Sequence, residues 1–349
     1  MENFVKFDFH QIPAPLLSWY RANKRTLPWR ENPTPYRVWV SEIMLQQTRV
    51  EAVKEYFLRF MQELPTVEAL AACEEERLLK LWEGLGYYSR ARNLQKAAKA
   101  LVNFYGGEFP RDFNALKDLP GVGSYTAGAI ASIAFGLPVA AVDGNVFRVC
   151  SRLEENPTRI SDQKYRKYLE ETLSAVYPNE GEACSEFTQS LFELGALICK
   201  PQNPDCEKCP LKGLCRAYQK GTQGAFPVMP EKKAKRQESV CVFLIETPEG
   251  FCIRRRSAGV LRGLNEFPSA VMNAGETPKK ILNEWGMYAF TEVARKKYVH
   301  IFTHIRWDIV CVWVRVDSAP FDAYALDEIE ESISLPTAFK QCLGILKEE

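Results

Sequence analysis

Cys199, Cys206, Cys209 and Cys215 form C-x6-C-x2-C-x5-C within seventeen residues, the local thiol set that four-coordinate metal ligation needs. Pro201, Pro204 and Pro210 favour turns that bring the sulfurs to one point, and Lys200, Lys208, Lys212 and Arg216 are interleaved with them. Four thiolates suit either zinc or a [4Fe–4S] cluster, and the spacing leaves both open. A second chemical feature is Leu119-Pro-Gly-Val-Gly-Ser-Tyr-Thr-Ala127. Gly121 and Gly123 permit a tight turn that leaves backbone N–H groups at the start of the next helix, a site for one phosphate. Asp143 follows the apolar run Val139 to Val142 and precedes a helix, where an Asp serves as an N-cap.

The elements that must carry these residues divide the chain in two. A length of 349 residues exceeds one comfortable core of about 100–200 residues, so two domains are expected. Up to about Lys220 the apolar residues recur at three- and four-residue spacing. The expected helices are Trp39–Phe60, Ser89–Tyr105, Ser124–Phe135, Asn145–Leu153, Gln163–Val176 and Ser185–Cys199. After about Glu238 short β-branched and aromatic runs take over. Strands are expected at Ser239–Glu246, Gly250–Arg256, Tyr298–Phe302 and Arg306–Val316, with helices at Thr277–Trp285 and Leu326–Ser332. The division is therefore a mainly α domain over 1–220, a connector over 221–237 rich in Gly, Pro and Lys, and an α+β domain over 238–349.

Composition excludes several classes. With 46% apolar residues the chain is neither disordered nor fibrous. No uninterrupted apolar stretch of about 18 residues exists, and Met1 to His10 lacks a basic start with an apolar core, so neither a spanning helix nor a secretory signal is expected. Eleven cysteines without an export signal favour free thiols or a metal site over a disulfide framework. The net charge of +1 argues superficially against a polyanion. It hides segments of opposite sign, because 28 basic and 27 acidic residues in 1–220 are followed by 14 and 8 in 221–306 and by 3 and 9 in 307–349.

The glycine hairpin, the aspartate about twenty residues later and the four-cysteine loop together resemble the helix-hairpin-helix DNA glycosylase superfamily of endonuclease III. Four further segments look like the adenine DNA glycosylase (MutY) family: Leu27-Pro-Trp-Arg30, Ser41-Glu-Ile-Met-Leu-Gln-Gln-Thr48, Gly84-Leu-Gly-Tyr-Tyr-Ser-Arg90 and Leu194-Gly-Ala196. The resemblance implies a helix-hairpin-helix glycosylase domain and a [4Fe–4S] cluster on Cys199, Cys206, Cys209 and Cys215. It implies removal of adenine mispaired with 8-oxoguanine or guanine in double-stranded DNA, within base excision repair. It also implies an intracellular monomer, cytoplasmic and nucleoid-associated in a bacterium, with no membrane partner.

Adenine leaves only when a ring nitrogen is protonated, and the departing sugar gains oxocarbenium character, so the reaction needs one carboxylic acid and one carboxylate. By the resemblance Glu42 is the acid and Asp143 stabilises the cation or bonds to it, with Tyr125 and Asn145 in support. The sequence puts Glu42 in the first turn of Trp39–Phe60, near Val53 and Phe57, where the helix dipole lowers its pKa and burial has to raise it. Relatives that also cut the strand carry a hairpin lysine where this chain has Tyr125. A phenol forms no imine, so a monofunctional enzyme is expected. The resemblance puts Gln47, Thr48, Leu85, Gly86 and Tyr87 around the gap left by the extruded base. It puts Leu27, Trp29, Arg30, Val50 and Gln189 beside the adenine, and Gly121 and Gly123 against a phosphate.

Residues 238–349 resemble the MutT-like (Nudix-fold) domain of the same family, on Arg254-Arg-Arg256, Gly263-Leu-Asn-Glu-Phe-Pro268 and His300-Ile-Phe-Thr-His304. The acidic box that binds magnesium in that fold is reduced to Gly275-Glu276 and Glu284-Trp-Gly286, so this domain is expected to recognise rather than hydrolyse. The reading loop is Phe302, Thr303 and His304. Two residues depart from the family pattern: Thr303 stands where Ser is usual and Asn265 where Trp is usual.

Overall fold

The computed structural model describes residues 7–348 apart from 180, 232, 233 and 274. Met1 to Lys6 and two lysines of the basic connector, Lys232 and Lys233, lie outside the described residues. The chain forms two compact units, one of residues 1–72 and 92–231, the other of residues 73–91 and 232–349. Residues 73–91 thus group with the C-terminal strands although 140 residues of the first unit follow them in the chain.

The helices in chain order are α1 (Pro13–Asn23), α2 (Pro35–Leu45), α3 (Val50–Glu63), α4 (Val67–Ala72), α5 (Glu75–Leu81), α6 (Ser89–Tyr105), α7 (Phe113–Lys117), α8 (Ser124–Ala129), α9 (Gly144–Glu154), α10 (Gln163–Ser174), α11 (Glu182–Glu193) and α12 (Arg216–Gln219). Their starts follow from side-chain caps. Thr34 accepts from the Arg37 amide and Pro35 opens α2, while Asp112 and Asp162 cap α7 and α10. Both α8 and α11 run on through one π-helical turn, at Ile130–Ala134 and Leu194–Ile198. The apolar faces of α9, α10 and α11 meet in one core holding Phe147, Leu169, Phe187 and Leu191.

The single helix expected over Trp39–Phe60 is two helices, broken at Gln46–Arg49, where Gln47 adopts a left-handed φ of 59°. Because Thr34 and Pro35 start α2 early, Glu42 lies near its C-terminal end rather than in a first turn. The dipole there disfavours a carboxylate and acts in the same direction as burial.

The second unit is built on a mixed sheet of β1 (Arg236–Thr247), β2 (Gly250–Arg255), β3 (Asn265–Glu266), β4 (Ser269–Val271), β5 (Thr291–Ile301), β6 (Ile305–Arg315) and β7 (Asp322–Tyr324). The main order is β3-β2-β1-β6-β5; β1 and β6 run parallel and the other pairs antiparallel. Period-two alternation buries both faces of β1. Val240, Val242 and Leu244 join Trp307 and Phe339 on one side, while Cys241, Phe243 and Ile245 join Ile281 and Leu282 on the other. Three short helices complete the unit: α13 (Pro278–Glu284), α14 (Leu326–Glu331) and α15 (Thr337–Lys340). The expected strand Tyr298–Phe302 is the last part of β5, which starts seven residues earlier. Its upstream half is an edge segment with a bulge at Glu292/Ala294 and exposed Arg295 and Lys297, so no alternating apolar signal marks it.

Candidate active site

In the first unit a cleft of about 530 Å³ gathers residues from six places in the chain. The break between α2 and α3 supplies Gln47, Thr48 and Val50, and the segment before α2 supplies Leu27, Trp29 and Arg30. Opposite them are Glu42 of α2, Tyr125 of α8, Asp143 and Asn145 at the start of α9, and Gln189 of α11.

Glu42 is 5% exposed. Burial pushes its carboxyl up to about 7, and the nearby negative charge of Asp143 adds to this. The hydrogen bond donated by the Tyr125 hydroxyl and the positive charge of Arg30 offset part of the rise. The Tyr125 phenol is itself held well above its ordinary value, by burial and then by the charges of Glu42 and Asp143. Its hydroxyl donates the hydrogen bond to Glu42.

Asp143 is both an N-cap and a cleft residue. Its Oδ1 accepts from the amides of Asn145 (2.8 Å) and Val146 (2.7 Å), and its Oδ2 from Asn145 Nδ2 (2.7 Å). Burial raises its carboxyl above the usual range, and these donors act against the rise. The three bonds fix the carboxylate in one orientation.

A third cleft carboxylate behaves in the opposite way and was not singled out from the sequence. Glu193 is 1% exposed and is gripped by Arg25, through Nη2 at 2.6 Å and Nε at 2.9 Å, and by Arg30 Nη2 at 2.8 Å. Burial alone would raise it, but Arg25 and Arg30 more than compensate and hold it below the ordinary carboxylate range. Its partners Arg25 and Arg30 lie about 165 residues away in the chain, so no local pattern marks it. Gln189 Oε1 accepts from Tyr20 (3.1 Å), and Gln189 Nε2 donates to Ser185 (3.1 Å).

Of the hairpin, Tyr125 lines the cleft while Gly121 and Gly123 do not. Gly121 has a φ of 76°, and a Cβ there would sit 2.6 Å from Asn93 Cβ. Gly123 starts α8, whose first amides no side chain caps.

The four cysteines are free and partly buried. Burial lifts the Cys209 thiol to about 12 and raises Cys206 and Cys215, and each feels the charge of Cys199. Among the described residues no three His, Cys, Asp or Glu side chains converge on a point for a single ion. α9 ties the loop to the cleft. Arg152 donates to Cys199 Sγ (3.3 Å) and to the carbonyls of Lys200 (2.7 Å) and Pro201 (3.0 Å). Arg148 donates to the Cys199 carbonyl, the Gly195 carbonyl and Asn145 Oδ1, all at 2.8 Å. Neither arginine was marked by the sequence, since helix arginines are usually solvated.

Leu85, Gly86, Tyr87, Phe302, Thr303 and His304 all belong to the second unit. Trp82 Nε1 and Arg90 Nη2 donate to the Gly86 carbonyl, and Arg90 Nη2 also to that of Leu85. This fixes a turn in which Gly84, Gly86 and Tyr87 have positive φ. Leu85 is buried, whereas the Tyr87 ring is 47% exposed and its hydroxyl is 2.8 Å from Thr303 Oγ1. Phe302 packs edge-on against Trp307, its carbonyl accepts from Lys235, and Thr303 and His304 are exposed.

Residues 40–175 match the HhH-GPD superfamily of base excision DNA repair proteins, residues 199–215 the iron–sulfur binding domain of endonuclease III, and residues 241–344 the NUDIX domain. The adenine DNA glycosylase of Mus musculus is 34% identical, over 87% of this chain and 70% of that protein. That of Buchnera aphidicola subsp. Baizongia pistaciae is 32% identical, over 95% and 92%. The chain belongs to the adenine DNA glycosylase family. A solved non-covalent endonuclease III–DNA complex is similar at 31% identity with a TM-score of 0.51, over 60% of this chain and 95% of that one. The protein is thus a DNA repair glycosylase of a helix-hairpin-helix fold followed by a Nudix-like domain. Its cofactor is a [4Fe–4S] cluster on the 199–215 loop, which the all-thiol donor set fits; when bound, the cluster braces that loop. Among the described residues no helix is long and apolar enough to cross a membrane.

Proposed function

We propose that the protein removes adenine mispaired with 8-oxoguanine, or with guanine, from duplex DNA, and leaves the strand intact. The observation that carries this reading is the unequal environment of two carboxyls in one cleft. Glu42 is buried, protonated up to about pH 7 and hydrogen-bonded by Tyr125, while Asp143 is fixed by three donors. Glu42 gives its proton to a ring nitrogen of adenine. The C1′–N bond breaks with its electron pair going to the base, and the Asp143 carboxylate stabilises or captures the sugar cation. Water then adds at C1′, displacing Asp143 where it had bonded and giving up a proton that restores the Glu42 acid, which completes hydrolysis to an abasic site. Asn145 holds Asp143, and Tyr125 holds Glu42.

Leu27, Trp29, Arg30, Val50 and Gln189 border the extruded adenine in this reading. Gln47, Thr48, Leu85, Gly86 and Tyr87 serve the vacated stack, where the exposed Tyr87 ring is the inserting group. The hairpin of Gly121 and Gly123 takes a backbone phosphate. Phe302, Thr303 and His304 read the base opposite, and Thr303 keeps the hydroxyl that a serine would present. The Nudix-like domain recognises rather than hydrolyses. The division 1–220, 221–237 and 238–349 remains our functional map, with residues 73–91 serving the reader. In this reading the enzyme acts as a monomer on duplex DNA inside the cell.

The test is base release under single-turnover conditions on a duplex with adenine opposite 8-oxoguanine. Wild type releases free adenine, Glu42→Gln does not, and borohydride traps no covalent adduct because Tyr125 has no amine to form one. Release of a pyrimidine in place of adenine, or a trapped imine, would overturn the reading.

A further inference from the structure

Glu76, on α5, joins two segments of the second unit that are distant in the chain. Its Oε1 accepts from Asn265 Nδ2 (2.5 Å) on β3 and from the Ser334 amide (3.3 Å), and its Oε2 accepts from Arg255 Nη2 (2.7 Å) on β2. Lys80 and Glu83 follow at helical spacing on the same face. They bind the end of α14 and the residues after it: Lys80 Nζ donates to the carbonyls of Glu330 (2.6 Å) and Ile333 (2.9 Å), while Glu83 accepts from the Leu335 amide (3.0 Å) and from Lys340 Nζ (2.8 Å) of α15. Of the two glutamates, Glu83 takes its side-chain donor from Lys340 of α15, whereas Glu76 takes its side-chain donors from strands β2 and β3. Asn265, where the family usually has Trp, is 9% exposed and uses its amide on Glu76.

The position of α5 bears on Tyr87. The Leu85 and Gly86 carbonyls of the turn after α5 accept from Trp82, the residue that ends α5, and from Arg90, so the turn is bonded directly to the end of α5. The hydroxyl of Tyr87 meets Thr303 on the reading loop at 2.8 Å. A shift of α5 along the strands would separate that pair, since a hydrogen bond fails with a displacement of under 1 Å. We propose that Glu76 is a positioning residue for lesion discrimination: through Asn265, Arg255 and the Ser334 amide it sets the register at which Tyr87 meets Thr303, and so the preference for 8-oxoguanine over guanine opposite adenine. The inference rests on the proposed function, in which these two residues serve the stack and the reading loop.

The experiment is a double-mutant cycle with the holoenzyme, comparing wild type, Glu76→Ala, Asn265→Ala and the double variant. Single-turnover release is measured from adenine opposite 8-oxoguanine and opposite guanine, and thermal melting is followed alongside. Loss of hydrogen bonds to a charged group predicts a fall of about tenfold in the ratio of the two rates for Glu76→Ala. The rate on adenine opposite guanine should stay within about twofold of wild type. The double variant should be no worse than Glu76→Ala, because the two side chains act through one bond. Glu76→Gln keeps the Oε1 acceptor and should retain most of the ratio. An unchanged ratio in Glu76→Ala, or a parallel loss of both rates, overturns the proposal while leaving the function intact. A wild type that releases adenine equally from both duplexes overturns the reader assignment itself and this inference with it.

Discussion

The hydroxyl of Tyr125 donates to Oε2 of Glu42 across 83 positions of sequence, joining the hairpin helix to the end of α2. This bond and burial act on the Glu42 proton in opposite senses. Burial and the Asp143 charge favour the neutral acid, whereas a donated hydrogen bond favours the carboxylate. The balance leaves a carboxyl that still carries its proton near pH 7, as a general acid requires.

The rate of base release should therefore fall as pH rises through about 7, because Glu42 must be protonated to act. Glu42→Gln should lower the rate by at least about a thousandfold, the upper part of the range for a general acid. Tyr125→Phe removes a bond that lowers the Glu42 pKa, so its alkaline limb should move to higher pH. Single-turnover pH profiles of the three proteins check this, and an unmoved limb in Tyr125→Phe would separate Tyr125 from the acid.

The same burial has a cost in stability. A carboxyl held near 7 in the folded chain and near 4.5 when unfolded loses protons first in the unfolded state, so the folded state weakens as pH rises from about 4.5 to 7 and is level above that. Gln carries no such penalty. Glu42→Gln should exceed wild type by on the order of 3 kcal/mol at pH 8 and match it near pH 4. Denaturant unfolding at the two pH values reads the difference.

What the sequence made legible follows from local chemistry. The cysteine loop, the Gly121 turn and the capping position of Asp143 depend on residues within a few positions of one another. The break at Gln47 has no Gly or Pro to mark it, although Gln47 itself adopts a left-handed φ. Arg25 and Glu193 meet over 168 positions, and no local pattern signals such a pair. Residues 73–91 read as part of the first helical run because α5 has an ordinary helical pattern. Its polar face, which meets β2, β3 and the segment after α14, is indistinguishable in sequence from a solvated one.

The two hairpin glycines should respond differently to alanine. At Gly121 the added methyl meets Asn93 at 2.6 Å on a backbone of φ 76°, so Gly121→Ala should destabilise by about 1–2 kcal/mol and weaken DNA binding. At Gly123, φ is −94° and nothing lies within 4 Å of the new Cβ, so Gly123→Ala should lose only the roughly 0.5–1 kcal/mol by which Ala falls short of Gly at an N-cap. Melting curves with duplex titrations distinguish them, and equal losses would place the strain elsewhere.

Arg148 is the side chain through which cleft and cluster loop depend on each other. Its guanidinium serves Asn145 Oδ1, the Gly195 carbonyl and the Cys199 carbonyl together, and burial already lowers its pKa. Arg148→Ala strands three acceptors and should cost about 2–4 kcal/mol. Because Asn145 holds Asp143, base release should fall, and because Cys199 begins the thiol loop, iron should be lost more readily to a chelator. Arg148→Lys keeps the charge but cannot span three acceptors with one ammonium, so it should recover stability better than activity. Iron content, melting temperature and single-turnover rate measured on one preparation test the linkage, and a loss of activity at full iron content and unchanged melting would confine Arg148 to the cleft side.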